Sequence, residues 1–242
     1  GIRVDKSRYD SLDSLEQKSD LESLGEILTK YKTAKGKHPI FTSNTVMGNP
    51  DFKKIKGDNY KNYYWKSFYK SYEEYYGENN QLMWKQMIEE NLVQPQFHAR
   101  EHLNVGLWMK ALQSDHKETI TAFNHHFFGL KTNTPSKHQR HYLSAYHCIS
   151  KKDLNHKTQI IKEGLKEFEQ INGFKSKTFI GCNYIWPIEL EVELKNEGVK
   201  ILQGQRGHLV PDVSTGKKKV QYRYTGQKNK YGQRYTIRNC LF

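Results

Sequence analysis

Two imidazoles, a guanidinium and a carboxylate fall within the short segment His98-Ala99-Arg100-Glu101-His102, directly after Gln94-Pro95-Gln96-Phe97. Neutral imidazole is the commonest protein ligand for zinc-like cations, and a His-x-x-x-His spacing sets two of them four residues apart. The pattern differs from the His-Glu-x-x-His of zinc proteases, because Glu101 adjoins the second histidine rather than the first. In a chain with eleven histidines, such a pair also arises as two ordinary surface side chains. The preceding proline, the Arg-Glu pair between the imidazoles and the helical pattern that follows mark a built loop.

Those side chains need elements to position them. Pro95 argues against a helix through His98, since proline lacks an N–H donor and biases its predecessor toward extended geometry. The pattern predicts a strand ending near His98 and a helix from about Leu103 that carries Val105, Leu107, Trp108, Met109 and Leu112. Both histidines then sit at a strand-to-helix junction, where α/β folds place their chemistry. Upstream, a helix over Ser11–Lys32 capped by Asp10 or Ser11 precedes a strand over Pro39–Val46, which Gly48-Asn49-Pro50 breaks. Asn44 and Asn49 thereby fall near the carboxyl end of a strand. The tract from Tyr60 to Tyr76 places aromatics at 60, 64, 68, 72 and 76, a helical spacing that suits either a packed face or a stacking surface for rings.

Downstream, helices are predicted over 82–92, 119–128 and 153–171, with a polar loop over 132–141. Adjacent His125 and His126 point about 100° apart on a helix, so they read as a packing feature. Lys177–Cys182 is a strand, Pro187 opens a helix through Leu194, Val199–Leu202 is the next strand and Gln203–His208 its loop. Val220–Tyr224 and Arg234–Ile237 alternate with period two around a polar loop and read as a C-terminal hairpin.

The 242 residues suffice for one large α/β domain. Hydrophobic residues are only 36%, but aromatics at 13%, including sixteen tyrosines, carry much of the core area. No run approaches the roughly 18 apolar residues of a membrane span. Cys148, Cys182 and Cys240 are widely spaced and odd in number, and read as reduced thiols. The charge of +13 raises nucleic acid as a partner. However, the lysines are scattered, with Lys217-Lys218-Lys219 the one tight triplet, and no nucleic-acid motif accompanies them. A solvated lysine-rich surface, without a nucleic-acid partner, is the reading taken. An acidic polymer as substrate also fits the charge.

Phe97-His98-Ala99-Arg100-Glu101-His102-Leu103-Asn104, Thr45-Val46-Met47-Gly48-Asn49-Pro50-Asp51-Phe52 and the Phe179–Trp186 strand and turn together resemble the polysaccharide deacetylase (NodB-homology) family, in a Bacteroides-type polysaccharide (de)acetylase-like subgroup. The resemblance implies an α/β fold, a distorted (β/α) barrel with helical insertions, forming one catalytic-type domain over 1–242. It implies a hydrolase that removes acetyl groups from a polysaccharide or oligosaccharide, with His98 and His102 as ligands of a divalent metal, expected to be zinc. In the family the third ligand and the catalytic base come from an Asp-Asp pair. That pair is expected immediately upstream of Gly1, just before Ile2-Arg3, which would make the sequence an internal fragment of a longer chain. Asn183 and Tyr184 fall where the family places its substrate-facing loop, although its Arg-x-Pro-Tyr is absent there. Asn44, by its place at a strand end, and Trp186 are read as substrate-binding with them. Arg100 either orients the aspartates expected upstream or binds an anionic sugar group. His208 is the candidate general acid. Glu101 either steadies a histidine tautomer from behind or pairs with Arg100. Localisation is read as cytoplasmic. The alternative function is a carbohydrate-binding or assembly protein that uses this fold without turnover.

Overall fold

The computed structural model describes residues 14–77 and 80–238. Helix α1 (Lys18–Lys30) leads into β1 (Phe41–Val46), β2 (Gly48–Pro50), α2 (Phe52–Gly57), β3 (Trp65–Ser67), α3 (Phe68–Tyr76) and α4 (Gln81–Glu89). Strand β4 (Val93–Ala99) is followed by α5 (Val105–Gln113), α6 (Lys117–Asn124) and the long α7 (Lys151–Asn172). After β5 (Thr178–Ile180) come 3-10 turns at Cys182–Tyr184 and Ile188–Leu190, then α8 (Glu191–Asn196). The last described elements are β6 (Ile201–Gly204), β7 (Gly207–Pro211), β8 (Lys218–Tyr222) and β9 (Arg234–Ile237).

Five strands form one parallel sheet in the order β1-β4-β5-β6-β9, so its neighbours follow chain order and each connection crosses over the sheet. The mixed α/β class holds. Among the described residues the sheet is open, with β1 and β9 at its edges. The expected hairpin is not formed. β8 pairs antiparallel with β7, while β9 joins the main sheet beside β6. Both segments have strand periodicity, but Tyr235 is buried in the core whereas Val220 and Tyr222 are exposed, and burial decides which segment enters the sheet. The region expected to be the loop 203–208 is mostly strand, with β6 running to Gly204 and β7 starting at Gly207. Gly48–Pro50 likewise forms a short strand paired with β3 rather than a simple break.

The aromatic tract is not one helix. Only Phe68–Tyr76 is helical, while Tyr60, Tyr63 and Tyr64 pack on a separate cluster around Trp108, Phe52 and Phe123. The caps expected for the first helix lie outside the described residues; within them the helix starts after Gln17. Pro187 precedes a 3-10 turn rather than opening the helix itself. No described helix is long and apolar enough to cross a membrane.

The main core lies between the sheet and α7, where Phe97, Phe179, Leu202 and Tyr235 from the strands meet Ile161, Leu165 and Phe168. Gly164 sets this spacing: a Cβ there would stand 2.8 Å from Phe97 Cε2 and 2.9 Å from Arg100 Cβ. The Phe97 and Arg100 side chains therefore pack directly against the backbone of α7. For Gly164→Ala, overpacking of about 1–3 kcal/mol outweighs the roughly 1 kcal/mol gain in helix propensity, so urea unfolding should show lower stability. Equal or higher stability would show that α7 can back away from the sheet.

Candidate metal centre

Strand β4 delivers His98 one residue before its carboxyl end, and Cys182 lies just beyond the end of β5, its parallel neighbour. Because the strands run in the same direction, both side chains emerge at the same edge of the sheet. His102 closes the group from the turn before α5. Ligand atoms of His98, His102 and Cys182 all lie within 4.8 Å of one another, with His98 Nε2 3.9 Å from Cys182 Sγ and the imidazole centroids 5.1 Å apart.

A carbonyl can only accept, so the 2.6 Å contact between His98 Nδ1 and the Ile180 carbonyl places the ring proton on Nδ1. Nε2 is left with its lone pair on the Cys182 side. This is the second hydrogen bond by which metal-binding histidines are normally oriented. His102 Nδ1 is buried with no hydrogen-bond partner, a costly state for an isolated nitrogen and a natural one for a ligand. Burial, with the His102 ring adding to it, lowers the His98 pKa to about 4, and burial also lowers that of His102. Both are neutral near pH 7, as ligation requires. Burial raises the Cys182 thiol well above its ordinary value. A tetrahedral zinc with ordinary Zn–N and Zn–S bonds separates the two donor atoms by about 3.6 Å, close to the spacing found here. The donors fit such an ion.

The loop carrying Cys182 is tightly shaped. Asn183 (φ 54) and Tyr184 (φ 56) are both in the left-handed region, unusual for side chains larger than glycine. At Gly181 a Cβ would meet Trp186 Cε3 at 2.4 Å, so only glycine lets the tryptophan close under the turn.

Residues Arg100 and Glu101 form a buried bidentate pair, Nε to Oε2 at 2.6 Å and Nη2 to Oε1 at 2.7 Å. Nη1 of Arg100 bonds Glu163 on α7, and the guanidinium lies over the rings of Tyr63 and Trp65. Burial alone would lower the Arg100 pKa, but the two carboxylates carry it above its ordinary value. The sequence reading has Arg100 facing substrate. With its donors spent internally, it holds the turn instead. Of the two roles open to Glu101, the structure shows the pairing with Arg100.

The remaining expected residues are dispersed. Trp186 is a core side chain, 1% exposed, donating to Glu191 at 3.2 Å, so it does not face substrate. His208 is also buried, its ring tilted against that of Trp186 with centroids 3.8 Å apart and Nε2 donating to the Trp186 carbonyl, which removes it as a solvent-side acid. Asn44 is exposed on β1, in a small cavity beside Phe68 and Trp84. Asn183 is exposed and Tyr184 half-buried at the turn after Cys182; Asn183 donates to Ser144 Oγ at 3.2 Å. Gly1, the residue before which the aspartate ligand and the catalytic base are expected, lies outside the described residues. Within them, the donor that stands beside the two histidines is a thiol rather than an aspartate. Cys182 reads from sequence as an ordinary reduced thiol. Its signal is position, since it ends a predicted strand as His98 does.

No family model matches the sequence and no curated protein does either. Among solved structures, the Bacillus anthracis protein BA0330, assigned as a polysaccharide deacetylase, has TM-score 0.40 and 10% identity over 90% of this chain and 43% of its own. The α-amylase AmyC from Thermotoga maritima has TM-score 0.37 and 10% identity over 70% and 24%. The GH57-type branching enzyme from Pyrococcus horikoshii has TM-score 0.35 and 12% identity over 90% and 32%. The chain thus spans less than half the length of each. Likenesses this distant decide neither topology nor chemistry, which rest on the geometry above.

Removing Arg100 leaves the buried Glu101 unpaired, so Arg100→Met should cost about 3–5 kcal/mol in chemical denaturation, and adding Glu101→Leu should restore much of it. Equal stability of single and double variants would contradict the pairing. Acid stability gives a second check on the metal-free chain. Burial holds His98 and His147 down to about 4 and His208 to about 3, against about 6.5 when unfolded. The unfolded chain takes up these protons first, so stability falls as pH drops below about 6.5, by up to about 1.4 kcal/mol per pH unit for each group. A flat urea midpoint between pH 6.5 and 5, above the main carboxylate range, would contradict it.

Proposed function

We propose that this chain belongs to a metal-dependent hydrolase that removes acetyl groups from a polysaccharide or related glycan, with zinc held by His98, His102 and Cys182. The observation that carries the metal is the convergence of His98 and Cys182, from the ends of adjacent parallel strands, with His102 from the turn after the first of them. Two imidazoles and a thiol suit a borderline-soft cation better than magnesium or calcium. Acetyl removal is what the sequence resemblance supplies.

A divalent cation bound there would polarise an acyl carbonyl and acidify a water molecule. The chain's own residues do the rest. The Ile180 carbonyl fixes the His98 tautomer, the Arg100–Glu101 pair holds the two histidines in one turn, and Cys182 releases its proton on ligation. Asn183 and Tyr184, at the turn beside Cys182, meet the approaching sugar. His98, His102 and Cys182 would hold the ion, which would supply Lewis-acid chemistry to a bound acyl group.

A non-catalytic carbohydrate-binding or assembly role is the second reading. One observation favours it: among the described residues no carboxylate joins the cluster, because Glu101 is turned to Arg100.

Elemental analysis of the full-length protein should find close to one zinc per chain, lost in His98→Ala and in Cys182→Ser. Acetate release from acetylated oligosaccharides should fall at least about a hundredfold in both variants. Metal without acetate release would favour the second reading. No metal after reconstitution would remove the centre altogether.

A further inference from the structure

A concave site lies near the histidine turn, reaching Asn104 two residues after His102. It is a cavity of about 480 Å³ at the amino end of α7, lined by Leu107, Lys110, Ser136, His147, Ile149 and Lys152 among others. Its volume falls within the range of small-ligand pockets. Asn104, two residues after His102, forms part of its wall and is buried, with its amide donating to the carbonyls of Ser144 and His147. The same Ser144 receives Asn183 through its hydroxyl, so the segment 144–147 separates the cavity from the Cys182 turn.

Two independent features point to a ligand. The first is positive potential. The 22-residue α7 begins at this cavity, with Ser150 as its cap, and its amino end carries the positive pole of the helix dipole. Lys110 and Lys152 stand exposed at the rim. Asp153, the carboxylate in the lining, is already engaged by the buried Lys157 at 3.2 Å and by the Ile149 amide at 3.1 Å. The second feature is His147, fully buried. Its Nε2 donates to the Gly216 carbonyl at 2.8 Å, so Nδ1 is an acceptor, and it has no partner. Burial keeps this ring neutral at pH 7. A simple anion offers nothing to an acceptor, whereas a sugar hydroxyl does.

We infer that this cavity binds a sugar ring carrying an anionic group: the charge meets Lys110, Lys152 and the α7 amino end, and a ring hydroxyl donates to His147 Nδ1. The inference deepens the glycan reading and rests on it for the sugar class. It makes the substrate an acidic polysaccharide and gives the net charge of +13 a recipient.

The test is NMR titration of the full-length protein with sodium glucuronate, glucose and inorganic phosphate, following the imidazole resonances. Glucuronate should bind and shift His147. It should bind at least about tenfold more weakly to the surface variant Lys110→Ala/Lys152→Ala and to His147→Phe, and glucose should bind more weakly than glucuronate. The double lysine variant keeps the test valid if His147→Phe does not fold. No glucuronate binding, an unaffected lysine variant, or phosphate shifting His147 as glucuronate does would each overturn the inference. Repeating the titration on His98→Ala separates it from the metal reading. Binding should persist there, and metal with acetate release but no glucuronate binding would sink the sugar site alone.

Discussion

The ion pair between Arg100 and Glu101 is the constraint on which the centre depends. Two opposite charges sit buried between two metal-type ligands, and neither could remain there alone. Their bidentate contact, the reach of Arg100 to Glu163 and the rings of Tyr63 and Trp65 over the guanidinium fix the turn from several sides. The turn is also tied into the sheet edge, since the Ala99 and Arg100 carbonyls accept the Met47 and Gly48 amides at 2.9 and 2.7 Å. The imidazoles at its two ends inherit this rigidity. A buried pair of this kind contributes little net stability, but it fixes one arrangement, which is what a preorganised site requires.

On this fixed turn, the chemistry is sorted by tautomer and by burial. One ring proton is assigned by a carbonyl on the neighbouring strand, so the ligand nitrogen of His98 is chosen by strand pairing rather than by its own sequence neighbours. Low polarity holds the imidazoles unprotonated and the thiol protonated, a combination from which a bound cation would have to displace a single proton. Left-handed Asn183 and Tyr184 turn the chain away directly after the thiol and put polar side chains beside it.

Much of this was readable from residue order. Pro95 and the apolar spacing after Leu103 located the strand, turn and helix around His98, and the long amphipathic α7 and the strands at 178 and 201 followed from periodicity alone. What escaped were decisions made by tertiary burial. The aromatic spacing from Tyr60 to Tyr76 matched a helix, yet Trp65–Ser67 pairs with β2 because backbone donors near Gly48 need partners. Period-two segments β8 and β9 looked alike, and only the core contact of Tyr235 distinguishes them. Trp186 and His208 have the polar tips of site residues, but both are buried in the core, where the indole donates to Glu191 and His208 Nε2 to the Trp186 carbonyl. Cys182 carried only the signal of its strand-end position, since no local motif links it to the histidines.

That last separation has a kinetic meaning. His98 and Cys182 are 84 residues apart, and between them lie α5, α6 and all of α7. They meet only when β5 docks parallel to β4, an event that must close a long loop around a complete crossover. The two histidines share one turn and come together by chain proximity, whereas the thiol joins them only through strand pairing. The complete donor set is therefore assembled only after the central sheet has paired correctly. A misregistered or partly folded chain brings together two of the three donors, and the full set becomes a property of the finished topology.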